Sequence, residues 1–181
     1  QPEKVNDKDH GIEKVLGNGL RPDIWMEFKE RFGIARVHEF YGASEGNTGF
    51  VNIFNFDKTV GWSPSYGKAW EVVGYDVDAD MPTADADAFL QKVKPGNTGL
   101  LIVRIDEQNP FDGYTDAQAS EKKILRDVFE KGDEWFNSGD LVVLQKHGHI
   151  QFGDRIGDTF RWQGENVATT EVESVIMKWP E

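Results

Sequence analysis

Three short segments carry residues whose types and spacing could do chemistry. The first, FYGASEGNTG at residues 40–49, sets a Ser44–Glu45 pair among Gly42, Gly46 and Gly49, directly after Tyr41. Glycines leave backbone N–H groups free to close around an anion, because no Cβ stands in the way. The Ser44 hydroxyl can donate to a phosphate oxygen. The Glu45 carboxylate would be repelled by phosphate unless a hard cation lay between them, and Mg2+ takes one or two carboxylates together with phosphate oxygens. Tyr41 could cover an aromatic base by stacking. The second segment, FNSGDL, places Asp140 where a carboxylate can accept hydrogen bonds from a ribose diol. The third, DRIGDTFRWQGENV, offers Arg155, a planar donor suited to phosphate or ribose oxygens.

Together the three segments suggest a nucleotide phosphate site. Singly, each has a plainer reading: a glycine-rich strand-to-loop turn, a turn aspartate, a surface ion pair. GASEG also matches the spacing of a G-x-S-x-G nucleophile elbow. An elbow needs a later histidine, and His147 and His149 read as neighbours on one strand face with no carboxylate to orient them. The hydrolase reading is the weaker one.

The elements that must position these residues can be read from the apolar pattern. GNGL (Gly17–Leu20) is a turn, and Pro22 suits a first helical position. Trp25, Phe28 and Phe32 recur at helical spacing, and Gly33 ends that helix. IARVHEFY then reads as a strand feeding the Ser44–Glu45 loop. Turn, helix, strand and loop are the grammar of an α/β layer, in which ligands gather at the carboxyl ends of strands. From about Gly61 the runs AWEVVGYDV, TGLLIVRI, LVVLQ and HIQFGD are short and β-rich, which predicts a small barrel or sheet. The aspartates of DVDADMPTADAD invite a calcium reading, but Met81 and Pro82 stand where a calcium loop needs its turn glycine, which favours a solvated acidic loop. A strand to about Trp162, a turn at QGEN and a helix follow, with capping-box spacing between Thr170 and Glu173. Val172, Val175, Ile176 and Trp179 make an apolar stripe on that helix, expected to pack in a core. The fold class expected is α/β plus β. Residues 1–60 end an α/β subdomain, 61–153 form a β-barrel-like subdomain, and 154–181 carry a hinge and the start of a small α+β domain.

Composition narrows the function. A net charge of −12 argues against a general nucleic-acid or anionic-membrane surface, since both need clustered Lys and Arg. With no cysteine, disulfides, thiolate nucleophiles and Cys-ligated zinc are excluded. No apolar run approaches the roughly 20 residues that span a bilayer. A chain that opens on Gln1 and stops at Glu181 in a young helix is expected to be part of something longer.

FYGASEGNTG, FNSGDL and DRIGDTFRWQGENVATTEVE, in this order, resemble the adenylate-forming acyl-CoA synthetases, above all their fatty acid transport protein / very-long-chain acyl-CoA synthetase branch. LGNGLRPDIW, NFDKTVG, PGNTGLLIVRI and PFDGYTD extend the resemblance over most of the chain. The resemblance implies a two-step reaction: a fatty carboxylate attacks the α-phosphate of ATP, and the thiol of coenzyme A then displaces AMP. It implies that Gly17, Asn18 and Gly19 wall the adenine, with Tyr41 stacking opposite and Gly42 in the same loop. Ser44 would bind phosphate, Glu45 would hold Mg2+, Asp140 would take the ribose hydroxyls, and Arg155 would assist at ribose or phosphate. Gly157 falls at the hinge, where the family commonly has Asp or Lys, and Gln163 stands where a lysine is expected. Gly164 matches the glycine that passes the pantetheine arm. The family's N-terminal phosphate loop and terminal catalytic lysine are not in these residues, so the piece is expected to be inactive alone. Implied partners are fatty acid, ATP and coenzyme A, with a cytoplasmic location and peripheral membrane association of the parent. Two alternatives stay open: a non-catalytic nucleotide-binding or fatty-acid-uptake module on the same scaffold, and a sister ligase for a carnitine-like or bile acid.

Overall fold

The structure is a computed structural model that describes residues 2–42, 48–64, 66–113, 115–157, 159–162 and 165–176. Strand β1 (Lys14–Gly17) leads through a turn to helix α1 (Trp25–Phe32) and strand β2 (Arg36–Gly42). Then come β3 (Gly49–Val51), β4 (Gly61–Trp62), β5 (Trp70–Val73) and the short pair β6 (Tyr75–Asp76) and β7 (Met81–Pro82). Strand β8 (Thr98–Arg104), helix α2 (Ala117–Glu121), β9 (Ile124–Arg126), the long β10 (Glu134–Leu144) and β11 (His149–Arg155) complete the main body. A hairpin, β12 (Thr159–Trp162) and β13 (Glu165–Ala168), precedes helix α3 (Thr169–Ile176).

Helix α1 forms on the expected face. Trp25 is buried and the Phe28 and Phe32 rings lie 5.2 Å apart. Gly33 closes it in the left-handed region (φ 65°), and the Ile34 N–H reaches the Lys29 carbonyl at 3.0 Å. The helix starts at Trp25, not at Pro22: its first bond runs from the Phe28 N–H to the Ile24 carbonyl, leaving Pro22 in the preceding turn. Asp57 accepts from both the Trp25 indole (3.1 Å) and Lys29 (2.6 Å), which ties α1 to the segment after β3.

The β-rich half does not close into a barrel. One mixed sheet of nine strands runs β1-β2-β3-β4-β11-β10-β8-β5, with β9 beside β10, and its ends stay open. Strand β1, in a stretch whose pattern assigns no element, lies parallel to β2, and the other pairings in this sheet are antiparallel. The seam between the two halves is the two-residue β4. Gly61 there has φ 134°, and a Cβ on it would collide with the Val51 backbone. That approach joins the halves edge to edge, and nothing in the alternation of the separate runs encodes it.

The apolar run of β8 is buried on both faces. Leu101 and Val103 pack with Phe50, Trp70, Phe136 and Ile150, while Leu100 and Ile102 pack with Val73, Val128 and Trp135. A strand covered on both sides loses its alternation and reads as a continuous apolar run. In the acidic loop, Asp76 accepts from the N–H groups of Asp78 and Ala79, and Asp85 from those of Asp87 and Phe89. These aspartates fold their own turns.

Beyond Gly157 two expectations change. β13 intervenes before α3, because Trp162 pairs with Glu165 and the chain doubles back as a hairpin. On α3 the stripe is not core: Val175 and Ile176 are 66% and 65% exposed, and Val172 is half-buried. Trp179 lies outside the described residues, as does the Thr170 side chain of the expected capping box.

Candidate functional site

Strand β2 alternates, sending Val37, Glu39 and Tyr41 to one face and His38 and Phe40 to the other. At its carboxyl end Gly42 pairs with Gly49 of β3, so the Ser44–Glu45 loop is the connection of a β2–β3 hairpin. Residues 43–47 lie outside the described residues, and Ser44 and Glu45 with them. Gln163 and Gly164 do so too.

The hydroxyl of Tyr41 donates to Asp140 Oδ2 at 2.5 Å, across 99 positions of sequence. Its ring stands edge-on to Phe50, with centroids 5.9 Å apart. Burial, and then the Asp140 charge, push the Tyr41 phenol well above its ordinary range, so it is held as a donor. Asp140 is 4% exposed and sits where β10 shifts register between Asn137 and Leu141. Gly139 (φ 77°) makes that shift possible, and the Asp140 N–H donates to the Ser138 hydroxyl at 3.1 Å. Opposite Asp140 in register is Arg155 of β11, whose Nε lies 3.3 Å from Asp140 Oδ1. The Arg155 side chain is 71% exposed.

A residue that the sequence pattern does not single out organises the other wall. Glu39, 5% exposed, accepts from the N–H groups of Gly19 (2.9 Å) and Leu20 (3.0 Å) with its two oxygens. It thereby binds the Gly17–Gly19 turn to β2, where Gly17 pairs alongside Glu39. The available signal was parity: a charged residue between Val37 and Tyr41, on the face β2 turns inward.

These groups surround a cleft of about 770 Å3. Asn18, Gly19, Tyr41, Gly42 and Arg155 line it, with Tyr75, Leu141 and Phe152 adding apolar wall. Gly17 and Asp140 stand behind, reached through Glu39 and Tyr41. The described candidate site residues (Gly17, Asn18, Gly19, Tyr41, Gly42, Asp140 and Arg155) are thus brought together, apart from Gly157. Gly157 follows β11 at φ 95° with open space around it. Neither candidate histidine lines the cleft. They do not share a strand face either: His147 is exposed in the turn at φ 60°, and His149 is buried beside Phe54 and Phe56 with both ring nitrogens unpartnered. Among the described residues no group of three His, Asp or Glu side chains could hold a metal ion. No helix among them is long and apolar enough to cross a membrane.

An open cleft with an exposed guanidinium, a fixed aromatic ring and a glycine turn can take a flat ring and an anionic tail. No protein-family model matches the chain. It is 53% identical over 176 residues to the medium/long-chain-fatty-acid–CoA ligase FadD6 of Mycobacterium tuberculosis, covering 97% of this chain and 29% of that protein. It is 49% identical over 179 residues to long-chain fatty acid transport protein 2 of Rattus norvegicus, with the same coverages. The chain therefore spans about 29% of the length of these curated relatives. Among solved structures, ATP-bound MatB from Rhodopseudomonas palustris aligns with TM-score 0.61 at 22% identity, covering 91% of this chain and 30% of that one. The O-succinylbenzoate coenzyme A synthetase MenE of Bacillus subtilis, in complex with ATP and magnesium ion, aligns with TM-score 0.56 at 22% identity, covering 91% of this chain and 31% of that one. At that identity the likeness is one of fold.

Proposed function

We propose, from the premise that this chain belongs to the adenylate-forming acyl-CoA synthetases through their fatty acid transport protein branch, that its cleft is the nucleotide site of a fatty-acid–CoA ligase. The observation that carries the reading is the linked set Tyr41–Asp140–Arg155, which shares one cleft with Asn18 and Gly19 of the turn after β1. In this reading the turn and Tyr41 enclose the adenine, with the ring plane held by the bond to Asp140. Both Asp140 oxygens have protein partners, and the Arg155 contact is the longer and the more exposed of the two. Arg155 turns outward to phosphate when nucleotide enters, which frees Oδ1 for a ribose hydroxyl. Ser44 would contact the phosphate, and Glu45 would hold a magnesium ion, which would supply positive charge beside it.

The chemistry is transfer of the adenylyl group: the fatty carboxylate attacks the α-phosphate, pyrophosphate leaves, and coenzyme A thiol then displaces AMP. The groups described here bind and orient; fixed donors that stabilise charge developing on the phosphate are how such sites lower the barrier. Gly157 serves as the hinge and Gly164 borders the pantetheine arm. The acyl tunnel and the remaining phosphate contacts belong to chain beyond these residues, and the parent acts at the cytoplasmic side with peripheral membrane attachment. Calorimetric titration of AMP into the wild type and Asp140→Ala tests the site. The substitution is expected to weaken binding about tenfold or more, the worth of one charge-assisted hydrogen bond; equal affinities would remove Asp140 from it.

A further inference from the structure

Asp154 is the last buried residue of β11, 5% exposed, one position before the strand ends at Arg155. Its Oδ1 accepts from the Arg155 N–H at 2.9 Å. Its Oδ2 accepts from the N–H of Thr169, the first residue of α3, at 3.0 Å, and the Thr169 hydroxyl lies 3.4 Å from Oδ1. The carboxylate therefore reaches across Gly157 and the β12–β13 hairpin to hold a helix that begins fifteen positions later. Two further contacts fasten the near side: the Ile156 N–H donates to the Gly139 carbonyl at 2.8 Å, and Arg155 faces Asp140. Among the described residues nothing lies within 4 Å of where a Cβ on Gly157 would stand, and its φ of 95° is a conformation that favours glycine.

We infer that Asp154 is a positioning residue: it latches the amino end of α3 to the edge of the cleft and sets the orientation of that helix against the sheet. The physical ground is the burial of the carboxylate. A charge removed from water must be hydrogen-bonded, and two of the donors that face Asp154 come from Thr169. Swinging α3 away strips both, while the positive amino end of the helix loses its anion. The latched arrangement is thus the favoured one, and it holds Arg155, through its backbone, beside Asp140. The functional meaning rests on the nucleotide-site reading; the latch itself rests on geometry alone.

The chain has no cysteine, so two can be introduced for spin labels without background. Lys146→Cys, in the turn before β11, and Glu173→Cys, on α3, are both exposed and straddle Gly157. Pulsed dipolar spectroscopy on the whole chain is expected to give one narrow distance. Thr169→Pro removes the donor while suiting a first helical residue that follows an extended one. It should at least double the width of the distribution, as should Asp154→Ala. Asp154→Asn, which keeps an acceptor, should fall between. The melting of the sheet, followed by tryptophan fluorescence, should remain a single transition. A broad wild-type distribution, or a wild-type width in a folded Thr169→Pro, would sink the inference. If Asp154→Ala does not fold, Thr169→Pro alone decides. Broadening without any AMP binding would leave the latch standing and remove the nucleotide reading.

Discussion

A phenol bonded to a buried carboxylate makes a residue-scale prediction with a definite sign. The Tyr41 phenol is raised well above the ordinary 10.0 by burial and by Asp140, and the Tyr66 phenol is pushed up to about 12 by burial and then by Glu71. A raised folded-state pKa means that the unfolded chain releases its proton first, so this stability is fully present below pH 10.0 and is lost as pH rises above it. Melting temperature is therefore expected to fall steadily from pH 10 toward pH 12, with 295 nm absorbance showing fewer ionised tyrosines in the native protein than in urea. Tyr41→Phe should flatten part of that slope and lower stability at pH 7 by about 1.5–3 kcal/mol in urea melts, the range for a hydrogen bond to a charged group. A loss under about 0.5 kcal/mol, typical of a surface change, would show that the Asp140 contact does not hold in solution. At this scale the sequence was readable where chemistry and spacing coincide. Tyr41, Asp140 and Arg155 could be singled out because each sits in a glycine-marked segment. Glu39 showed only through its parity on β2 and Asp154 not at all, because the donors they share are backbone N–H groups, which nearly any residue carries.

Elements were readable when one face alone decides them. The face of α1 and its glycine stop follow directly from Trp25, Phe28, Phe32 and Gly33. The joining of the sheet's two halves was not readable, since the joint is a single close backbone approach at Gly61. That joint makes the element-scale prediction. Gly61→Ala would drive a Cβ into the Val51 backbone at a φ that L residues avoid, so something in β3 or β4 must move. Urea denaturation is expected to show a loss above about 3 kcal/mol, with Gly96→Ala, where a Cβ meets nothing, as the comparison for positive φ alone. Equal losses at the two sites would mean that the seam relaxes at no cost. The missed β13 has a similar origin: a four-residue strand that pairs with β12 carries too little periodicity to separate it from a turn.

On the scale of the whole molecule, one face of the sheet is only partly covered by the described residues. Phe40, Val51, Trp62 and His149 stand side by side across β2, β3, β4 and β11, and Phe40 and Val51 are 43% and 41% exposed. Phe54 and Phe56, themselves 55% and 52% exposed, flank the buried His149 ring. A contiguous apolar surface of this kind binds hydrophobic dyes. The folded chain is expected to enhance the fluorescence of 8-anilinonaphthalene-1-sulfonate severalfold at 0.5 M NaCl, where salt screens the net charge of −12. Phe54→Ser with Phe56→Ser should remove most of that signal while leaving the far-UV spectrum unchanged; an undiminished signal would place the dye elsewhere. The long reach of the Tyr41–Asp140 bond also bears on synthesis. Its partners are 99 positions apart, so at ribosomal speed the hydroxyl waits roughly 5 to 20 s for its carboxylate to be translated. For the first part of that interval the nascent β2–β3 pair carries Phe50 without β5 and β8, and for all of it without most of β10 and β11, whose side chains complete the cluster around that ring. The growing polypeptide is therefore a client for whatever shields hydrophobic segments at the ribosome exit, and the two walls of the cleft can meet only once Arg155 has emerged.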